Sequence, residues 1–341
     1  MSTFSERLTQ QGICFSPSGD CVSANSQKST LAIPLEQYRI FAIKGPDCWK
    51  FLQGQLTCDM TEVQNRGSSL GAHCNIKGHM LSLFRLMRVA EQEVWLRIHA
   101  SIADSAIANL KKYIIFSKAE LSEISDQVTG LGLIGPGTTA AIDKLFERVP
   151  SEDNGIIGLN YGVVIRVPGD RFELWLPEEK LLEQLSHLPD RVGIGSEEAW
   201  TLSEIQAGIP DLRPEIQEAF IPQMTNLQAV AGVSFRKGCY TGQEIVTRLQ
   251  HRGQLKKSMY HLSVATANRP EPGQPLFTAE QQSCGQVVVA AADCNPEQFS
   301  LLAVITKKAA DEGQVFLEDG TPVVFNALPY TLDPAMFLPK N

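Results

Sequence analysis

At 341 residues the chain is too long for one hydrophobic core, since single cores stop growing near roughly 250 to 300 residues, and two or three domains are expected. With 43% apolar, 20% charged and 7% aromatic residues it carries ample core material and is not a disordered chain. Thirty basic against thirty-eight acidic side chains leave a net charge of −8, which disfavours direct binding to a nucleic acid, and no run of about 20 apolar residues marks a membrane span.

Residues 1–30 are rich in Ser, Gln and Thr, without periodicity or an apolar signal core, and read as a loosely held N-terminal segment of a cytoplasmic protein. Order begins at "LAIPLEQYRIFAIKG", where Tyr38, Ile40 and Ala42 alternate with Arg39, Phe41 and Ile43 up to Gly45-Pro46, a strand pattern. "PDCWKFLQGQL" predicts a short helix with Pro46 near its first turn and Phe51, Leu52 and Leu56 on one face. "LGAHCNIKGHMLSLFRLMRVAEQEVWLRIHA" predicts three antiparallel strands broken at Lys77-Gly78 and at Glu91 to Glu93.

"SIADSAIANLKKYIIF" spaces Ala103, Ile107, Leu110 and Ile114 for one helical face, with Ser101 as the N-cap candidate. Strands followed by a helix give an α+β signature, which recurs as "VTGLGLIG", a helix after Pro136, strands within 156–176 and a helix after Pro177. A further helix, "SEEAWTLSEIQAGIP", starts at Ser196 and stops by Gly208 to Pro210. Beyond about 257, short β-type runs separated by Gly, Pro, Asn and Asp predict a small β-barrel or sandwich, with a boundary near 250–260.

Eight cysteines, at 14, 21, 48, 58, 74, 239, 284 and 294, include no C-x-x-C pair and no histidine at zinc-ligand spacing, so free thiols and no stably bound metal are expected. Cys239 stands apart in "RKGCYTGQE". Thr241 to Glu244 fits a capping box, which places Cys239 before the positive end of a helix, with Arg236 and Lys237 beside it, conditions that favour a thiolate. Gly238 and Gly242 bracket it and permit close approach of a ligand. Packing in a tight loop is the alternative, because free cysteine is among the most buried residue types. A Cys-His hydrolase lacks a histidine at a telling position.

"FRKGCYTGQEIVTR" closely resembles the K-G-C-Y-x-G-Q-E signature of the YgfZ family, folate-binding proteins related to the glycine-cleavage aminomethyltransferases. "GPDCWKFLQGQLTCD", "AHCNIKGHM", "LKKYIIFSKAEL", "FIPQMTNLQAVAGVSFRKGCYTGQE" and a late "LPY" follow the family pattern in order over most of the chain. The resemblance implies an aminomethyltransferase-like cloverleaf: two α+β domains within 31–255, divided near 125, and a β-barrel over 256–341, around a central hole that holds tetrahydrofolate or a derivative. It implies an accessory role in making or repairing iron–sulfur enzymes, with those enzymes or assembly proteins as partners and tRNA methylthiolation reached only indirectly.

By the same resemblance Cys239 is the functional thiol, supported by Lys237, Gly238, Tyr240, Gly242, Gln243 and Glu244, and the folate-associated aromatic positions fall on Trp200 and Tyr38. Tyr38 departs from the Trp usual there and offers a smaller stacking face. The aminomethyltransferases carry a catalytic carboxylate where this chain has Ser82 and Leu83, and they lack the cysteine. Folate retained without the parent reaction is the leading expectation. The alternatives are a folate-dependent one-carbon transferase or demethylase using Cys239, and a folate sensor in which Cys239 only packs.

Overall fold

Alternating and helically spaced apolar residues organise the computed structural model, which describes residues 4, 6–7, 30–188, 192–252, 254–293, 295 and 297–337. The chain runs β1 (Thr30–Pro34), β2 (Tyr38–Lys44), α1 (Cys48–Gln55), α2 (Met60–Arg66), β3 (Ser68–Cys74), β4 (Met80–Ala90), β5 (Glu93–His99), α3 (Ala100–Ile114) and β6 (Glu120–Glu123). It continues as β7 (Thr129–Ile134), α4 (Thr138–Phe146), β8 (Ile156–Leu159), β9 (Gly162–Val167), β10 (Arg171–Leu176), α5 (Glu178–Ser186), β11 (Val192–Ile194) and α6 (Glu197–Gln206). After an irregular stretch come α7 (Gln243–Arg252), β12 (Lys257–Ala265), β13 (Pro275–Phe277), β14 (Ser283–Ala292), β15 (Gln298–Thr306), α8 (Lys307–Glu312) and β16 (Val324–Asn326).

The described residues form three sheets. The first, in the order β3-β4-β5-β2-β6, is antiparallel throughout. It is backed by α3, which buries Ile102, Ala103, Ala106, Ile107, Leu110 and Ile114 along one stripe. The isoleucine and leucine side chains among them contribute about 1.5–3 kcal/mol each when fully buried, before conformational entropy is counted. The N-cap of α3 is His99, not Ser101: the chain passes from β5 straight into the helix, and the His99 ring nitrogen accepts from the Ser101 N–H at 3.2 Å.

The second sheet has the order β11-β1-β7-β10-β9-β8, with β1 parallel to β11 and antiparallel to β7. The strand formed first in the chain therefore belongs to the sheet formed second. Faces of the two sheets share one core, in which Ile33, Ile40, Trp95, Val163, Trp175 and Trp200 pack together. Of the N-terminal segment expected to be loose, 1–30, only residues 4, 6, 7 and 30 are described. There Phe4 is buried in the core of the second sheet and Arg7 pairs with Glu178.

The third sheet, β13-β14-β15-β12-β16, is antiparallel. Phe316 bridges to Phe277 on β13 and to Pro322 just before β16, which joins the two edges and closes the sheet into a small barrel. Helix α6 links this barrel to the second sheet: Glu198 accepts from Arg269 at 2.9 Å and from the Ala292 N–H. No helix among the described residues is long and apolar enough to cross a membrane.

Candidate functional site

The thiol loop is built by alternating burial. Lys237 and Tyr240 are 8% and 7% exposed, whereas Gly238 and Cys239 between them face solvent. The Lys237 ammonium donates to the carbonyls of Gln53 at 2.8 Å, Leu56 at 2.5 Å and Cys58 at 2.8 Å. These carbonyls lie where α1 ends, a place of unpaired acceptors and partial negative charge that suits a cation. Burial pulls the Lys237 pKa down to about 8, against Cys58 and Asp59, which raise it.

That geometry corrects one expectation. An ammonium has three donors, and all three are committed to backbone, so Lys237 is not the cation that faces the Cys239 thiol. It pins the loop from beneath instead. The Tyr240 ring lies 5.0 Å from the ammonium, and its hydroxyl is buried without a hydrogen-bond partner. Burial raises the Tyr240 pKa, so the phenol stays protonated.

Gly242 has φ +83°, and a Cβ there would stand 2.4 Å from the Asn75 carbonyl oxygen. Glycine thus lets the loop seat directly on the Asn75–Gly78 turn between β3 and β4, and two separate sequence motifs become one packed unit. The capping box does not form. Helix α7 starts at Gln243, so Gly242 rather than Thr241 precedes it, and the Gly242 carbonyl accepts from the Val246 N–H at 3.5 Å. Gln243 and Glu244 occupy the first turn. Of the five cysteines described, Cys48, Cys58, Cys74 and Cys284 are buried and Cys239 is exposed. Burial pushes Cys58 and Cys74 up to about 12.

A second constellation surrounds α6. Ser196 caps it, its hydroxyl accepting from the Ala199 N–H at 3.3 Å. Trp200 is 0% exposed in the core between the first two sheets, where the missing side chain of Gly132 makes room for the indole. The Arg171 guanidinium lies 4.9 Å over the Trp200 ring. Tyr38 donates its hydroxyl to Glu204 at 2.8 Å, with Arg97 3.9 Å over its ring and His99 at its edge, 5.9 Å away.

Beneath these rings runs a buried ion network. Arg97 pairs with Glu173 at 3.2 Å and Glu204 at 3.5 Å, and Arg85 pairs with Glu173 at 3.3 Å. Burial works against the Glu173 charge, but Arg97, Arg85, the Trp175 N–H and Arg171 together hold its pKa below the usual carboxylate range. Beside α6 lies a cavity of about 790 Å³, walled by that helix, Arg171, the loops at Asn154 and Gly169 and the Ala229–Ala231 segment, and closed by Tyr330 near the C-terminus. The Tyr330 hydroxyl donates to the Gly208 carbonyl at 2.8 Å, fastening that end to α6.

Tyr38 and Trp200 are therefore brought together through α6, but neither lines the cavity; Ala199, Leu202 and Ser203 of the same helix do. Cys239 and its motif lie at a separate place, none of them in the cavity wall. The sequence reading passed over Arg85, Arg97, Arg171 and Glu173. The available signal was an ionic residue at the inward positions of otherwise apolar strands, as in "RFELWL" and "VWLRIHA". Among the described residues no group of three His, Cys, Asp or Glu side chains is placed to hold a metal ion.

A family model described as the GCVT N-terminal domain matches residues 27–162. The aminomethyltransferase T of the glycine cleavage system from Bartonella henselae superposes with a TM-score of 0.69 at 18% identity, covering 95% of this chain and 96% of that one. This shows the expected aminomethyltransferase-like fold. The tRNA-modifying protein YgfZ of Cronobacter sakazakii is 32% identical over 320 residues, 92% of this chain and 97% of its own. Its namesake from Pectobacterium atrosepticum is 34% identical over 255 residues, 74% of this chain and 76% of its own. With that identity carried along nearly the whole length of a curated relative, and on the fold that the motifs imply, the chain belongs to the YgfZ family.

Proposed function

We propose that this protein binds tetrahydrofolate or a derivative in the cavity beside α6 and supports, through the Cys239 thiol, the synthesis or repair of iron–sulfur enzymes on which tRNA methylthiolation depends. The observation that carries the thiol's part is its mounting. Cys239 is exposed at the tip of a loop whose flanking Lys237 and Tyr240 are buried, so the sulfur is presented while its support is held. A packing cysteine has the reverse arrangement, as Cys58 and Cys74 do.

The cavity suits the ligand on its own terms. Its volume of about 790 Å³ lies within the roughly 300–1,000 Å³ of small-molecule sites. Its wall combines apolar surface from Ala199, Leu202 and Val230 with a buried, unpartnered N–H of Arg171. Tetrahydrofolate carries one-carbon units on its reduced ring; the chain's residues bind and orient it. In this reading Trp200 and Tyr38 act from behind the wall, Trp200 by holding Arg171 and Tyr38 by holding Glu204. Ser82 is fully buried and Leu83 packs on the first core, so the carboxylate expected of an aminomethyltransferase has no counterpart at these positions.

The net charge of −8 favours an enzyme partner over direct tRNA contact. The test is methylthiolated adenosine in tRNA from a strain lacking the protein, complemented with wild type or Cys239→Ala at matched levels. Restoration by wild type and not by the variant is expected, with the variant's stability within about 0.5 kcal/mol of wild type because the residue is exposed. Equal restoration by both removes the thiol from the function.

A further inference from the structure

We infer that Arg171 is the anchor of the cavity: its guanidinium receives an oxygen acceptor of the bound ligand, either a glutamate carboxylate or the ring carbonyl of a pterin. The assignment rests on the folate reading and deepens it. Three arginines, Arg85, Arg97 and Arg171, are buried around two buried carboxylates, Glu173 and Glu204. Arg85 and Arg97 form ion pairs with those carboxylates. Arg171 has no carboxylate within 4.0 Å among the described residues, so this cluster of five carries one excess positive charge.

The unpaired cation stands at the cavity wall. Arg171 is 2% exposed, donates Nε to the Pro168 carbonyl at 2.9 Å and Nη1 to the Ser203 hydroxyl at 3.1 Å, and leaves Nη2 buried with no partner. Pro168, Arg171 and Ser203 all line the cavity. Two fixed donors and the Trp200 ring 4.9 Å away set the plane of the guanidinium, so the third donor is held ready. A buried charge with a spare donor is costly unless an acceptor meets it, and a planar fork is the group suited to a carboxylate or carbonyl. Of the other charged cavity residues, Arg66, Glu152 and Asp153 are exposed, where water screens them, and Asp293 is half-buried.

Titration calorimetry on the full chain tests this with 5-formyltetrahydrofolate and with its pteroate counterpart lacking the glutamate. Arg171→Gln is expected to bind 5-formyltetrahydrofolate about 10- to 100-fold more weakly, the range for losing a hydrogen bond to a charged group. If a glutamate carboxylate is the partner, wild type loses the same factor on going to the pteroate, and the variant loses nothing further. If the ring carbonyl is the partner, the variant loses that factor for both ligands. Arg171→Lys, which keeps the charge but not the fork, serves where the Gln variant does not fold, with a loss of about 10-fold expected. Folded variants binding both ligands as wild type does overturn the anchor and leave the folate reading standing. Wild type binding neither ligand overturns the folate reading and the anchor with it.

Discussion

Lys237 shows how one side chain can serve a motif while its own donors are all turned to the backbone elsewhere. Its ammonium joins a loop near residue 240 to carbonyls at the end of α1, and among the described residues no other side chain donates to the Gln53, Leu56 or Cys58 carbonyl. Lys237→Met keeps the apolar stem and removes the charge, leaving the acceptors unpartnered. Hydrogen bonds to charged groups contribute about 1.5–3 kcal/mol each, and the set is not additive, so a loss of about 3 kcal/mol or more is expected in urea unfolding. The same variant should fail to restore tRNA methylthiolation although its thiol is intact. Full activity at reduced stability would show that the mounting does not matter. The motif itself was legible in the sequence, as was the oddity of its cysteine. The direction of the lysine was not, because the choice between a neighbouring thiol and a helix end far away in the chain is made by tertiary packing.

Elements whose partners lie close in sequence were legible for the same physical reason. Helix α3 announces itself by the spacing of Ile107, Leu110 and Ile114, and the hairpins by their turns. Strand β1 does not, since the five residues TLAIP pair with β7 and β11, which come long afterwards. The docking of α3 on β3 is a further case. Tyr113, in the last turn of α3, meets His73 of β3 edge-on with ring centroids 6.5 Å apart, and His73 is 1% exposed. Burial first, and Lys112 second, lower the His73 pKa from 6.5 to about 4. The folded protein therefore keeps this ring neutral while the unfolded chain takes up a proton below pH 6.5. The stability tied to it is fully present above 6.5 and is lost progressively as pH falls toward 4, on the order of 3 kcal/mol in all. Denaturant unfolding between pH 7 and 4.5 should show this slope in wild type and a shallower one in His73→Gln. Identical slopes would mean that the contact between α3 and β3 tolerates a charged imidazole.

At the scale of the molecule, the first two sheets are joined by an ionic seam inside an apolar core. Glu173 of β10 receives Arg85 of β4 and Arg97 of β5 on one carboxylate, with the Trp175 N–H on its other oxygen. Arg97 extends the seam to Glu204 on α6, the helix that also grips the barrel. Composition could indicate separate cores; it could not reveal that they meet across buried charges, because each strand alone looks apolar with one stray ion. Breaking a buried pair from one side costs about 3–5 kcal/mol, since the partner is left charged without compensation. Glu173→Gln should therefore unfold at markedly lower urea concentration, and Arg85→Met should recover part of that loss when the two are combined, because the double variant buries one unpaired cation fewer. If the two substitutions instead add without coupling, Arg85 and Glu173 do not act as a pair, and the rigidity of the junction must come from the apolar core around Trp95, Trp175 and Trp200.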